Sequence, residues 1–491
     1  MTEPMESVEQ RESFFERTLG NLTAVWRDIA QGAARTVGLN DRALSAGHPA
    51  ALEALMRECL EARGGEVSAR MRAAGLGRAY LELDAEGRRR FHEILAERFG
   101  VEAEALDEAI EGYRQAADPE ASLTALQRLR AAVVPQRVKL IRQFNALPEG
   151  VKFLVDLRAD LLALPDRTPA LDGLDADLRE LLSSWFDTGF LDLSQITWDS
   201  PASLLEKLIA YEAVHEIRSW NDLRHRVQSN RQLYALFHPR MPDEPLAFIE
   251  VALVKGIARN IQRLLDPEAS KANAGEADTA IFYSISNTQK GLRGVSFGDY
   301  LIKRVVQKLA AEQPRLKVFS TLSPVPGFRK WLANRPAELV AAAMTETERG
   351  RVCSLGEREE PAAALEAILD RPGWHEDADL QRLLEQPMLK LCARYLRETR
   401  PDGTPIDPVA RFHLQNGARL EHINWLGDTS AQGLQRSAGL MVNYRYILED
   451  IEKNHEAYMR DGKVAMSSEV RSLVKAMADA ENGTRRKLRL G

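Results

Sequence analysis

DTAIFYSISNTQKGLRGVSFGDYLIKRVVQKLAAEQPRLKVFSTLSPVPGF, residues 278–328, holds the pattern that decides this fold. Ala280–Ile285 is an apolar, aromatic-bearing run that predicts a buried strand. Gln289–Gly298 follows as a turn carrying Gly291, Gly294 and Gly298. In the next segment Leu301, Ile302, Val305, Val306 and Leu309 recur on one face, which predicts an amphipathic helix over Tyr300–Ala311. Leu316–Leu322 is a second strand, and it delivers Ser323 and Pro324 at its carboxyl end. Unpaired backbone N–H groups at a helix start, with the helix dipole behind them, form an anion site. Glycines let that backbone approach phosphate oxygens without a Cβ in the way.

Around this unit, strands alternate with helices. Leu233–Phe237 and Leu246–Val254 are strand candidates, and Asp199-Ser200-Pro201 reads as the cap of a helix reaching Tyr211. Asp266–Asp278 is a polar loop, and Arg329–Arg400 is helical apart from an expected polar loop near Glu346–Pro361. The first 184 residues are different, since strand-like alternation is nearly absent there. Phe15, Leu19, Leu22, Trp26 and Ile29 form a helical stripe, as do Phe91, Ile94, Leu95 and Phe99, and again Leu123, Leu126, Leu129 and Val133. These stripes are expected to form the core of a helical bundle. The predicted class is therefore α+β: an all-helical unit over 1–184, then an α/β unit with a mixed sheet over 185–491.

Composition narrows the function. With 44% hydrophobic and 28% charged residues, the 491-residue chain has a globular balance, and two or three domains are expected. A formal charge of −6 argues against a general nucleic-acid binder, which needs a basic face. No apolar run approaches the ~20 residues of a membrane span, and the acidic N-terminus lacks a signal-peptide core. Cys59, Cys353 and Cys392 are widely spaced and form no CxxC pair, which predicts neither a disulfide framework nor a zinc site. His215-Glu216 fails HExxH because Ser219 stands where the second histidine belongs. No metal site is expected.

The glycine loop has two readings from its residues alone, a tight turn or an anion cradle. It lacks the GxGxxG spacing of a dinucleotide fold and the Gly-Lys-Ser/Thr of a P-loop. It is similar to the pyrophosphate loop of GNAT acyltransferases (Arg/Gln-x-x-Gly-x-Gly/Ala). Arg293 and Gly298 fit that pattern, and Ser296 departs from it at the usual first glycine. Ser323 reads either as a turn cap or as a positioned hydroxyl, because Pro324 stiffens the backbone behind it. His413, in FHLQNGA, is followed by a dense polar set: Gln415, Asn416, Asn424, Asp428, Asn443, Tyr444 and Tyr446. Such groups need partners when buried. His422 is a second candidate histidine, on a possible strand.

Taken together, FYSISNTQKGLRG, VFSTLSPVPGF, FHLQNGA and GLMVNYRY resemble the signature blocks of the malonyl-CoA decarboxylase family. SSWFDTGFLDL and AVHEIRSWNDLRHR resemble it as well, so the likeness covers roughly residues 180–470. The resemblance implies a helical N-terminal domain, 1–184, serving oligomerisation, and a GNAT-like catalytic domain, 185–491. It implies a carboxy-lyase that converts malonyl-CoA to acetyl-CoA and CO2. It places the catalytic serine on Ser323, the catalytic histidine on His413 and a supporting tyrosine on Tyr446. The CoA-binding stretch falls on Arg293, Gly294, Val295, Ser296, Phe297, Gly298 and Asp299. No separate cofactor is implied, since CoA is part of the substrate. A homo-oligomer, tetrameric by resemblance, is expected, without nucleic acid or membrane as a partner. Eukaryotic relatives often end in Ser-Lys-Leu; the ending Arg489-Leu490-Gly491 suggests a bacterial-type cytoplasmic enzyme.

The implied chemistry leaves an enolate when CO2 departs, and the thioester carbonyl takes the electrons. The site must therefore hold the carboxylate out of the thioester plane, stabilise the enolate oxygen and protonate carbon. His413 is the expected proton donor because imidazole ordinarily titrates near neutrality. The family describes its serine as a proton acceptor, a role a hydroxyl fills only if the histidine takes the proton onward. The alternatives are a GNAT-type acyltransferase, which would need an amine acceptor, and a non-catalytic CoA-ester sensor.

Overall fold

The computed structural model describes Trp26 and residues 49–61, 66–228, 230–266, 276–295 and 297–488. Its first part is helical, running from Pro49–Leu60 to Pro169–Trp185. The starts of these helices follow from local chemistry. The Asp84 and Asp118 carboxylates and the Thr168 hydroxyl accept from the first free backbone N–H groups, and Pro119 and Pro169 occupy first-turn positions where no N–H is needed. The core of this part is aromatic. The Phe153 ring lies 4.8 Å from Trp26 and 4.9 Å from Phe144, and Tyr80 meets Phe91 at 4.8 Å. Trp26 Nε1–H donates to the Pro148 carbonyl at 2.8 Å. Trp26 is the one member of its predicted stripe among the described residues.

One predicted core stripe does not face a core. Leu123, Leu126 and Val133 are 59%, 41% and 49% exposed. Their helix, Pro119–Ala132, packs chiefly on its hairpin partner Ala103–Arg114, which has no buried residue. Periodicity establishes that a helix has an apolar face, but it does not supply a second layer to cover that face.

The Gly150–Ala163 helix serves two cores at once. Phe153, Leu154, Leu157 and Leu161 pack into the helical part. Val151 and Val155 pack into the cluster formed on the sheet. The two parts of the chain are thereby joined by one rigid element.

The second part is built on an eight-stranded mixed sheet. Its strands are β1 (Asp192–Ile196), β2 (Arg231–Phe237), β3 (Ala247–Val254), β4 (Thr279–Asn287), β5 (Val318–Thr321), β6 (Ser323–Pro324), β7 (Arg419–Asn424) and β8 (Met441–Tyr446). The order is β1-β2-β3-β4-β5-β8-β6, with β7 paired to β8. β4 and β5 are parallel, and the other pairs are antiparallel. A parallel pair needs a crossover, and the Gly298–Glu312 helix provides it. Leu301, Ile302, Val305, Val306 and Leu309 are fully buried on its inward face. The strand–turn–helix–strand reading of residues 278–328 therefore holds.

β4 and β5 pair only from Thr279↔Val318 to Phe282↔Thr321. β4 continues to Asn287 against β3, and the register slips at Glu250/Val251, so that Tyr283 is an extra residue on β4. From that bulge onward the parallel pair parts. A glycine loop and a helix that follow a parting parallel pair form the arrangement expected of a GNAT-like domain.

Two local expectations need correction. The polar stretch after Met344 is a helix, Glu346–Gly356, held by a reciprocal capping box between Thr345 and Glu348. Its charges lie on a solvated face, which composition alone does not distinguish from a loop. The helix Ala202–Tyr211 has Pro201 at its cap with no side-chain bond, and the Ser200 hydroxyl accepts from Thr197 N–H instead. Much of the polar loop after Asp266 lies outside the described residues, as does the end of the chain from Arg489. We expect Phe153→Ala to lower unfolding stability by about 3–5 kcal/mol through the cavity left among Trp26, Tyr80 and Phe144, measurable by urea denaturation.

Candidate active site

Ser323 stands where β5 gives way to β6. Leu322 N–H still donates to Phe282 O at 3.0 Å, and Ser323 then pairs with Val442 of β8. The hydroxyl is thus fixed by backbone on both sides, two residues beyond the last rung of the parallel pair. Pro324 completes the short strand and keeps the chain extended.

His413 comes from the Pro408–Gln415 helix, which Asp407 starts by accepting from Ala410 N–H at 2.7 Å. Asp407 is itself held by the Tyr395 hydroxyl at 3.0 Å. The helix stops at Gly417, whose φ is +77°, and a Cβ there would collide with the Ile451 carbonyl. This turn lets β7 begin at Arg419 and brings the chain back toward β8. Tyr446 lies on β8 opposite Phe319 of β5.

These three residues, distant in sequence, form one chain of contacts. Ser323 Oγ lies 3.1 Å from His413 Nε2, and His413 Nδ1 lies 2.8 Å from Tyr446 Oη. Ser323 also donates to Thr321 Oγ1 at 2.9 Å. That donation leaves the serine oxygen to accept from Nε2–H, and Tyr446 then donates to Nδ1. Thr321 is oriented in turn by Tyr444 N–H, at 3.0 Å. The Tyr444 ring stacks on the imidazole at 4.6 Å.

All three groups are buried: Ser323 is 6%, His413 3% and Tyr446 1% exposed. Burial pushes the His413 pKa down to about 3. The sequence expectation of a histidine titrating near neutrality therefore does not hold in this structure. Desolvation favours the neutral imidazole, and among the described residues no carboxylate offsets it.

The polar set around His413 divides into separate tasks. Asn424 donates to Asn443 at 2.8 Å, and Asn443 donates to the Thr321 carbonyl at 2.6 Å, bracing the end of β5. Asn416 donates back to Phe412 O and closes the His413 helix. His422 turns away from the dyad and meets Glu469 at 2.8 Å. No group of three or more metal-ligating side chains occurs among the described residues.

The glycine loop follows the carboxyl end of β4, the strand from which β5 parts. A short helical turn, Lys290–Leu292, is followed by Gly294 with φ +83°. Arg293 and Gly294 are exposed, whereas Val295 and Phe297 are buried in the sheet's core. Val295 and Phe297 thus anchor the loop, and only their backbone could face a ligand. Gly298 and Asp299 open the crossover helix, and Ser296 lies outside the described residues.

Several residues of this region carried no sequence signal. Glu212, just after the Ala202–Tyr211 helix, accepts from the Ser284 hydroxyl at 2.8 Å and the Ser286 hydroxyl at 3.2 Å on the parted half of β4. A cavity of about 1910 Å³ runs beside it, lined among others by Lys152, Glu212, His215, Thr288 and Lys290, and it reaches the start of the glycine loop. Ser323 and His413 are not on its wall. Thr321 could have been found from sequence, since strand alternation puts it on the face of Ser323.

Residues 189–484 match the malonyl-CoA decarboxylase C-terminal domain, and residues 99–186 match the corresponding N-terminal domain. The chain is 39% identical over 422 residues to the mitochondrial malonyl-CoA decarboxylase of Anser anser anser, covering 83% of this chain and 84% of that one. The mitochondrial enzyme of Mus musculus is 38% identical over 444 residues, covering 87% and 86%. The crystal structure of malonyl-CoA decarboxylase from Rhodopseudomonas palustris matches with a TM-score of 0.77 and 44% identity, over 86% of this chain and 99% of that one. The structure from Agrobacterium vitis gives 0.76 and 43%, with the same coverage. With family domains matched along most of its length and relatives this similar, the chain belongs to the malonyl-CoA decarboxylase family.

Proposed function

We propose that this chain decarboxylates malonyl-CoA at a reacting centre made of Ser323, His413 and Tyr446, with the nucleotide end of CoA held by Arg293–Asp299. The observation that carries this reading is the buried Tyr446–His413–Ser323 hydrogen-bonded chain at the carboxyl end of β5.

The reaction consumes one proton: malonyl-CoA and a proton give acetyl-CoA and CO2. A neutral imidazole is a poor donor to carbon, so the source of that proton matters. The malonyl carboxylate brings a negative charge into a dry site, where an opposite charge strongly favours imidazolium. Substrate binding thus draws a proton onto His413. Tyr446 Oη accepts from the Nδ1–H of the imidazolium and holds the ring, while Nε2–H points to Ser323. The serine hydroxyl turns from Thr321 to donate to the carboxylate and so orients it. As the C–C bond breaks, its electrons enter the thioester carbonyl, and a donor placed on that oxygen is worth roughly 3–4 kcal/mol. Nε2–H then supplies the proton to the α-carbon. Acyl transfer would instead require an amine acceptor to stimulate CoA release.

The same reading divides the chain into a helical unit over 1–184 and a catalytic unit over 185–491. It includes a homo-oligomer, tetrameric by resemblance, which the exposed Leu123, Leu126 and Val133 support. Among the described residues no helix is long and apolar enough to cross a membrane. A cytoplasmic location belongs to this reading.

Purified protein is expected to release CO2 and acetyl-CoA from malonyl-CoA without added metal or amine; a requirement for an amine acceptor would overturn the decarboxylase reading. His413→Asn should lower kcat by about 10²–10⁴ with CoA binding kept within a few-fold, and an unchanged rate would remove His413 from the mechanism. Arg293→Ala should raise KM more than it lowers kcat, because it acts on a non-reacting part of the substrate. Stability should carry the mark of the buried imidazole. Below its unfolded pKa the unfolded chain binds a proton that the folded chain refuses, so folding weakens as pH falls. Between pH 7.5 and 5 the wild type should lose roughly 2 kcal/mol more than His413→Asn, read from paired denaturant titrations.

A further inference from the structure

The helical part does more than flank the sheet, because it reaches the glycine loop with a buried charge. Arg158, on the Gly150–Ala163 helix, is 2% exposed. Its Nη1 donates to Gly291 O at 2.6 Å and to Arg293 O at 2.9 Å. Its Nε donates to Asp175 Oδ1 at 2.8 Å, and Asp175 lies on the Pro169–Trp185 helix. One guanidinium thus ties two helices to two carbonyls of the loop.

The backbone around these bonds is tightly fitted. A Cβ on Gly291 would collide with the Val155 carbonyl, so the loop lies directly against the Gly150–Ala163 helix. Val155 itself packs into the sheet's core.

The two tethered peptides have different consequences. In the Gly291–Leu292 peptide, the N–H is used within the loop, donating to Gln289 O at 3.0 Å. In the Arg293–Gly294 peptide, the carbonyl points at Arg158. A trans peptide directs its N–H opposite to its carbonyl, so the Gly294 N–H is aimed away from Arg158 toward the exposed side of the loop. Gly294 adopts φ +83°, which glycine tolerates and other residues rarely do. That side also carries the exposed Arg293 and leads to the N-terminus of the 15-residue crossover helix.

We propose that Arg158 is a positioning residue of the helical domain that fixes the Arg293–Gly294 peptide with its N–H outward, pre-forming the donor set for the CoA pyrophosphate. This inference rests on reading residues 293–299 as the CoA loop. Arginine suits the task because its planar fork serves several acceptors at once, whereas lysine offers a point charge on a flexible stem. The helical part therefore contributes to substrate affinity without touching the substrate.

The test compares malonyl-CoA with malonyl-pantetheine, which lacks the pyrophosphate. In full-length R158K, KM for malonyl-CoA should rise about tenfold while kcat stays within about threefold. Its kcat/KM for malonyl-pantetheine should match the wild type. D175N, which releases the far end of the guanidinium, should give the same split in smaller measure, and it decides the question if R158K is too unstable to purify. Parallel losses on both substrates would indicate a general structural role and overturn the proposal. Gly294→Val separates the two readings. If it raises KM for malonyl-CoA selectively while R158K and D175N do not, the CoA loop stands and Arg158 has no part in it. If Gly294→Val also leaves the selectivity unchanged, the loop reading fails and the proposal falls with it.

Discussion

The parting of β4 from β5 is the constraint on which the rest of this structure depends. Four rungs of parallel pairing hold the strands together, and the Tyr283 bulge then ends the match. Parallel strands require a crossover, so a helix start and its glycine loop lie at the carboxyl end of β4. The same geometry puts Ser323 just past the end of β5. The glycine loop and the Ser323 hydroxyl are therefore two consequences of one strand pair, one on each side of the gap.

What surrounds that gap comes from distant parts of the chain. β8 runs alongside β5 and β6, supplies Tyr446, and fixes Thr321 through the Asn443 side chain and the Tyr444 backbone N–H. The Pro408–Gln415 helix lays His413 against it. On the far side, the Gly150–Ala163 helix brings Arg158 to the loop. Ser323, His413 and Tyr446 are buried together, and that burial pushes the imidazole pKa down. A dry, uncharged site suits a reaction whose substrate carries its own electron sink and its own counter-charge. In water, the attraction between carboxylate and imidazolium would be largely screened.

Much of the fold was legible in advance. The apolar run of Ala280–Ile285, the one-face spacing from Leu301 to Leu309 and the strand before Ser323 each reflect a local preference that burial reinforces. The errors arose where burial is decided by a neighbour. Leu123, Leu126 and Val133 have the spacing of a core face but lack a covering layer, and Glu346–Gly356 is helical under a polar composition. For the site, Ser323, His413 and Tyr446 could be named from the resemblance of their blocks, and the structure brings those three together. Arg158 and Glu212 had no such marker, since each acts through a partner remote in sequence.

By itself, then, the sequence determined the local elements, the glycine-bearing turn, the family and the candidate side chains Ser323, His413 and Tyr446. These follow from periodicity, turn chemistry and contiguous motifs, all of which are written within short windows. Only the tertiary structure decided the lowered pKa of His413, the inward packing of Val295 and Phe297, and the hold of the helical part on the glycine loop. Desolvation depends on everything packed around a group, and a hydrogen bond across 133 residues depends on where two elements meet.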